Sequence, residues 1–220
     1  MKALVRRIGT PTLAALAAIG LTAATASATT VHRDTAAGAS YSGPYQITNI
    51  GALTISGSGI TASCSGVDLR GDLTSSGTGT LTSASVTGCT SSLGNATVKF
   101  LNLPYTQGSL TQGNGPAGSD GKLTFSDPNL SIQATFSLGT CTYGFGGSTT
   151  SLSFNVFNRD NAGRPNSADD LQGQILNAGL NKTGGSVLCP GSATANGIGK
   201  ARGKVTTGAA TYDQKLYLTP

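Results

Sequence analysis

Groups able to do acid–base or nucleophilic chemistry near neutral pH are scarce in this chain, and the few that occur are poorly spaced for it. The single histidine is His32, in a small, polar, unpatterned stretch near the N-terminus. A base held there has no rigid element to aim it at a serine or a thiol. Glutamate is absent, so all nine carboxylates are aspartates. Glycoside hydrolysis needs two carboxylates placed across the scissile bond. Asp68 with Asp72 and Asp169 with Asp170 are close in sequence, but the same offsets suit turns and helix caps. The lack of tryptophan removes the usual stacking platform for sugars. The expectation is therefore a protein that is not an enzyme, with an aspartate-based hydrolase as the one exception that a cleft holding two aspartates would revive.

Cysteine chemistry points to bracing. Cys64, Cys89, Cys141 and Cys189 are an even number, and none of their spacings has the CxxC form of a zinc site. Three pairings are possible. Sequential pairing, Cys64 with Cys89 and Cys141 with Cys189, is the expected one, because each cysteine closes a strand-like run beside a turn signal. Loops of that length, once closed, stabilise a fold by about 3 to 4 kcal/mol each.

Oxygen donors for calcium gather only in RDNAGRPNSADD, residues 159–170, where Asp160, Asp169 and Asp170 are the candidate carboxylates beside Asn161 and Asn166. The spacing is not that of an EF-hand, and Arg159 and Arg164 offset much of the charge. Asx-turns and a helix start account for the same residues without a metal. No cofactor is expected.

Two further groups could make contacts with a partner. Tyr105 follows Leu103-Pro104, and Tyr143 and Phe145 lie in YGFGG just after Cys141. These rings either close the ends of a core or stand on neighbouring loops as an apolar contact surface. The segment from Cys141 to Gly147 is also the one disulfide-braced loop that would suit a proteinase inhibitor. Lys200, Arg202 and Lys204 form the only local concentration of positive charge. They either guard a strand edge or meet an anionic polymer of the cell wall.

The compartment follows from the first 28 residues. Lys2, Arg6 and Arg7 precede the apolar run LAALAAIGL, and Ala26-Ser27-Ala28 supplies a small-x-small cleavage site. That is the pattern of a secretory signal peptide, most simply of the Sec type. Once it is removed, eleven basic residues face nine acidic ones. So small a net charge does not suit nucleic acid. The mature chain is expected outside the cytoplasm, in the medium or at the wall, with wall polymer, an apolar surface or another protein as its partner.

The elements that must position these groups read as strands. Residues 29–44 look like a flexible mature N-terminus, and 45–220 like one all-β domain in which strand-like runs alternate with Gly, Asn, Asp and Pro clusters. Runs are expected at 45–55, 60–64, 66–74, 79–87, 95–103, 121–126, 130–138, 149–157, 186–189, 193–206 and 211–218. The clearest alternation is Ile132, Ala134, Phe136 and Leu138, with Ser131, Gln133, Thr135 and Ser137 opposite. That second set reads as a solvated sheet face. Ser167 as a cap, Asp169 and Asp170 in a first turn, and Leu171, Ile175 and Ala178 on one face sketch a single short helix ending at Gly179. The fold class is an antiparallel β-sandwich or flattened barrel, with at most one short helix and two disulfides.

The stretch ITASC, then GTLTSASVTGC at 79–89, then LPY at 103–105, resembles small exported β-rich proteins of actinobacteria of unknown function. More distantly it is similar to the secreted bacterial proteins described as protein activators of alkane oxidation, in which a Leu-Pro-aromatic turn follows the second cysteine. That pattern favours tryptophan where this chain has Tyr105. The resemblance implies an accessory factor for the uptake or oxidation of apolar substrates and supplies no catalytic residues.

Overall fold

A computed structural model describes residues 29–220 apart from Asn114, Pro116, Ala117 and Leu138. The expected signal peptide lies outside the described residues, as does the last apolar position of the 132–138 alternation. Fifteen strands join in one antiparallel sheet: β1 (Thr30–Arg33), β2 (Gly43–Gly57), β3 (Ile60–Leu73), β4 (Thr78–Leu81), β5 (Ser83–Ser91), β6 (Gly94–Asn95), β7 (Thr97–Leu101), β8 (Tyr105–Gln112), β9 (Gly121–Phe125), β10 (Ser131–Phe136), β11 (Gly139–Gly144), β12 (Leu152–Phe157), β13 (Leu171–Gly185), β14 (Ser192–Gly203) and β15 (Gln214–Thr219). No α-helix occurs among the described residues.

Four long strands in the order β3-β2-β14-β13 make a continuous floor. Each outer strand of that floor divides its partners. β3 pairs with β5 over most of its length and meets β4 at Leu73. β13 pairs with β12 through Gln172–Gln174 and with β11 through Asn181–Gly185. From these edges two flaps curl over the floor, β4-β8-β9-β12 and β5-β7-β10-β11. The contacts β3–β4 and β5–β7 each rest on one residue pair, Leu73 with Gly79 and Val86 with Val98. The sheet is therefore a partial ring and not a true barrel.

Both disulfides form in the expected pairing. Cys64 and Cys89 lie directly opposite on β3 and β5 with Cα atoms 3.9 Å apart, and Cys141 of β11 reaches Cys189 in the turn between β13 and β14. Two such bonds are consistent with an oxidising environment.

Three expectations are corrected. Residues 171–178 are strand rather than helix, because the segment pairs along both edges, with β12 and β14. A bulge between Ile175 and Ala178 sets the two residues Leu176 and Asn177 opposite the single Asn196, which changes the spacing of the inward side chains. Secondly, residues 29–44 are built into the fold. β1 pairs with the last strand, β15, Val31 is fully buried, and Tyr41 lies under Gly203, where an added Cβ would meet its ring at 2.4 Å. His32 is held in the same place, with Nδ1 2.7 Å from Gly38 O and Nε2 3.0 Å from Thr219 Oγ1. Thirdly, 186–189 is a turn, whereas strands β8 and β11 run where no strand was expected.

Candidate binding cavity

Where the two flaps cover the floor, the inward side chains leave a void of about 160 Å³. Its floor is Leu53 and Ile55 of β2, Ala62 and Leu69 of β3, and Ile175 and Leu180 of β13. Phe125 and Phe154 of the first flap, with their rings edge to face at 6.0 Å, close one side. Phe100, Ile132 and Phe136 of the second flap close the other. A smaller void of about 60 Å³ shares Leu53, Leu69, Phe125 and Ile175 with it.

The space exists because several inward positions carry alanine: Ala62, Ala134, Ala178, Ala193 and Ala195 all border it. A leucine or valine at those alternating positions would fill the gap between layers packed about 10 Å apart. The exposed Ser56, beside Gly57, Pro190 and Thr194, marks the end at which the void approaches the surface.

Polar groups on the wall are few. Tyr105, fully buried, has its hydroxyl engaged with backbone: it donates to Leu101 O and accepts from Ser131 N at 3.1 Å. Tyr143 is also buried, at 5% exposure. Burial pushes the phenols of both residues above their ordinary range, so both are neutral donors. Among the described residues no aspartate, lysine or arginine lines the void.

The residues singled out from sequence fall elsewhere or take other roles. Tyr105 and Tyr143 do not form an exposed contact surface. Each lies on a strand with its ring turned inward, and Phe145 is half-buried against the same core cluster. Of the segment Cys141–Gly147, the first four residues lie inside β11, and Phe145–Gly147 lead into an exposed turn closed by a bridge between Gly146 and Thr149. The calcium candidates do not converge. Asp160 accepts from Tyr217 Oη at 2.9 Å, Asp169 pairs with Lys215 and Arg159, and Asp170 pairs with Arg202. Among the described residues no group of three metal-ligating side chains comes together. Within the basic triplet Arg202 is bound to Asp170, while Lys204 Nζ sits 5.1 Å from the Tyr212 ring centroid. The solvated-face reading of 131–137 holds only in part: Ser131, Gln133 and Thr135 are half-buried, and Thr135 Oγ1 meets Thr140 Oγ1 at 3.1 Å.

Sequence reading missed the void because its wall is spread over twelve strands, each giving one to four residues. The available signal was the alanine at inward positions of otherwise aliphatic alternations, Ala134 between Ile132 and Phe136 above all. Compared with family models, with curated proteins and with solved structures, the chain finds no match.

Proposed function

We propose that this protein is an exported, non-enzymatic binding domain that takes up one small apolar molecule between its flaps and floor. The observation that supports this reading is the void of about 160 Å³ walled by aliphatic and aromatic side chains. An engineered cavity of about 150 Å³ lined by Leu, Ile and Phe stays dry and binds benzene or xenon. A dry void offers an apolar guest the contacts that its wall lacks, without displacing ordered water. The accessory role in handling apolar substrates is a particular case of this reading, with the molecule carried inside rather than wetted at the surface.

The test is equilibrium uptake of cyclohexane and of toluene by the oxidised protein, followed by ligand-observed NMR, beside an Ala193→Phe variant. Ala193 is half-buried at the wall, so the added ring fills the void with little demand on the backbone. Saturable uptake at one molecule per chain, lost in the variant while its circular dichroism is kept, is the expected result. Absence of uptake of either probe by the parent protein would overturn the reading. Salt-sensitive retention on cell-wall sacculi, lost on changing Lys200 and Lys204 to Ala, would favour the wall-polymer role instead.

A further inference from the structure

We propose that residues 145–151 are the gate through which a guest reaches the void, and that Asn181 is the latch of that gate. The inference rests on the uptake reading above and adds to it the route and the control of entry.

The chain passes between the two flaps four times, and the passages differ in length and restraint. From β4 to β5 it is Thr82 alone, whose N–H and Oγ1 both donate to Arg70 O of the floor. From β7 to β8 it is residues 102–104, and Tyr105 Oη just after them donates to Leu101 O just before them. From β9 to β10 it is residues 126–130, pinned by the buried Asp127, which accepts from the N–H groups of Thr106 and Asn129. The fourth passage, from β11 to β12, is the longest, with seven residues. It carries adjacent glycines at 146 and 147, the second with φ of 55°, and Gly147, Ser148 and Thr150 are exposed. Among the described residues its hydrogen bonds to the floor come from one side chain. Asn181 Nδ2 donates to Gly146 O over 2.6 Å and to Thr149 Oγ1 over 3.2 Å.

That passage lies where the floor is least covered. β12 pairs with β13 as far as Gln174 and β11 pairs with it from Asn181, so among the described residues this edge of β13 has no strand partner over 175–180. Ile175, Ala178 and Leu180 of that stretch border the void, as do Tyr143 and Leu152 on either side of the passage. An outward swing of 146–150 breaks the two Asn181 bonds and no pairing between strands. The approach beside Ser56 is closed more firmly. Pro190 packs so near Gly57 that an added Cβ would lie 3.0 Å from its own Cβ, and the neighbouring Cys189 is bonded to Cys141. Loops that open over a site do so in microseconds to milliseconds.

The experiment measures association and dissociation rates of cyclohexane and of toluene by NMR exchange on the oxidised parent protein and on two variants. Asn181→Ala removes the latch and should raise both rates by the same factor, roughly three- to tenfold, with affinity unchanged. Gly146→Cys combined with Asn181→Cys locks the gate. A Cβ at 146 lies 3.7 Å from that of Asn181, the separation a disulfide needs. With the cross-link confirmed by mass, exchange of both guests should nearly stop. Rates unchanged in both variants would overturn the gate and leave the uptake reading standing. Faster dissociation matched by an equal loss of affinity in Asn181→Ala would do the same, by making Asn181 part of the wall. A parent protein that binds neither guest would overturn the uptake reading, and the gate with it.

Discussion

Arg202 Nε donates to Asp170 Oδ1 over 2.7 Å, and Nη2 reaches Oδ2 at 3.4 Å, joining the end of β14 to the residue that precedes β13. Asp170 is only 3% exposed, whereas the Arg202 side chain is 32% exposed. Truncating the cation therefore strands a buried carboxylate. Arg202→Met should destabilise the fold by about 2 to 3 kcal/mol, below the range for a fully buried pair because water partly screens the guanidinium. Arg202→Met combined with Asp170→Leu should return to within about 1 kcal/mol of the parent. Urea unfolding of the two singles and the double checks this, and strict additivity of the singles would contradict it.

Tyr105 should respond sharply to loss of its hydroxyl. Tyr105→Phe removes the donor to Leu101 O and the acceptor for Ser131 N, leaving backbone groups unpaired in a buried place. The expected cost is about 1 to 3 kcal/mol. Denaturation midpoints in the absence of any guest measure it, and unchanged stability would contradict the assignment.

Sequence patterns were readable where strands are regular and face inward on one side. Ile132, Ala134 and Phe136 on β10 alternate as expected, and the limits of β2, β9 and β14 fall close to the expected runs. They failed where the sheet departs from period two. In a regular strand Leu171, Gly173 and Ile175 share a face. The bulge then brings Ala178 and Leu180 back to the cavity side, so the apolar positions read 171, 175 and 178, a helical spacing. β8 escaped notice because Tyr105 and Leu110 are its only large apolar residues, and Gly108 between them packs too close to Gly79 to carry a side chain. The cavity was the least legible feature, since its wall joins single residues from strands far apart in the chain and no local pattern encodes that convergence.

Acid should expose the role of Asp127. This carboxylate, 2% exposed, accepts from the backbone N–H of Thr106 at 2.7 Å and of Asn129 at 3.0 Å. The Thr106 bond first, then that of Asn129, holds its carboxyl below the usual range despite the opposing effect of burial. A depressed folded pKa means that the stabilisation is complete above the unfolded value of about 4. It is lost as pH falls from there through the folded value. Asp127→Asn should therefore be less stable than the parent by about 1 to 2 kcal/mol at neutral pH. The gap should narrow below about pH 4, as seen by urea unfolding from pH 7 to pH 2. A gap that stayed constant through the acid range would show that the charge contributes nothing.

Asn177 is the residue on which the bulge in β13 turns. It has φ of 49°, in the left-handed region, and its N–H donates to Asn196 Oδ1 over 2.8 Å while Asn196 Nδ2 returns a bond to Asn177 Oδ1 at 3.3 Å. Asparagine tolerates that conformation and glycine does so freely, but a β-branched residue does not. Asn177→Gly should cost little, since conformational ease offsets the lost side-chain bond. Asn177→Val should cost about 1 to 2 kcal/mol. Because the bulge sets which side chains of β13 face inward, the valine variant should also weaken cyclohexane uptake, whereas the glycine variant should keep it. Parallel unfolding and uptake measurements test both parts, and equal stability of the two variants would show that the backbone at 177 relaxes without strain.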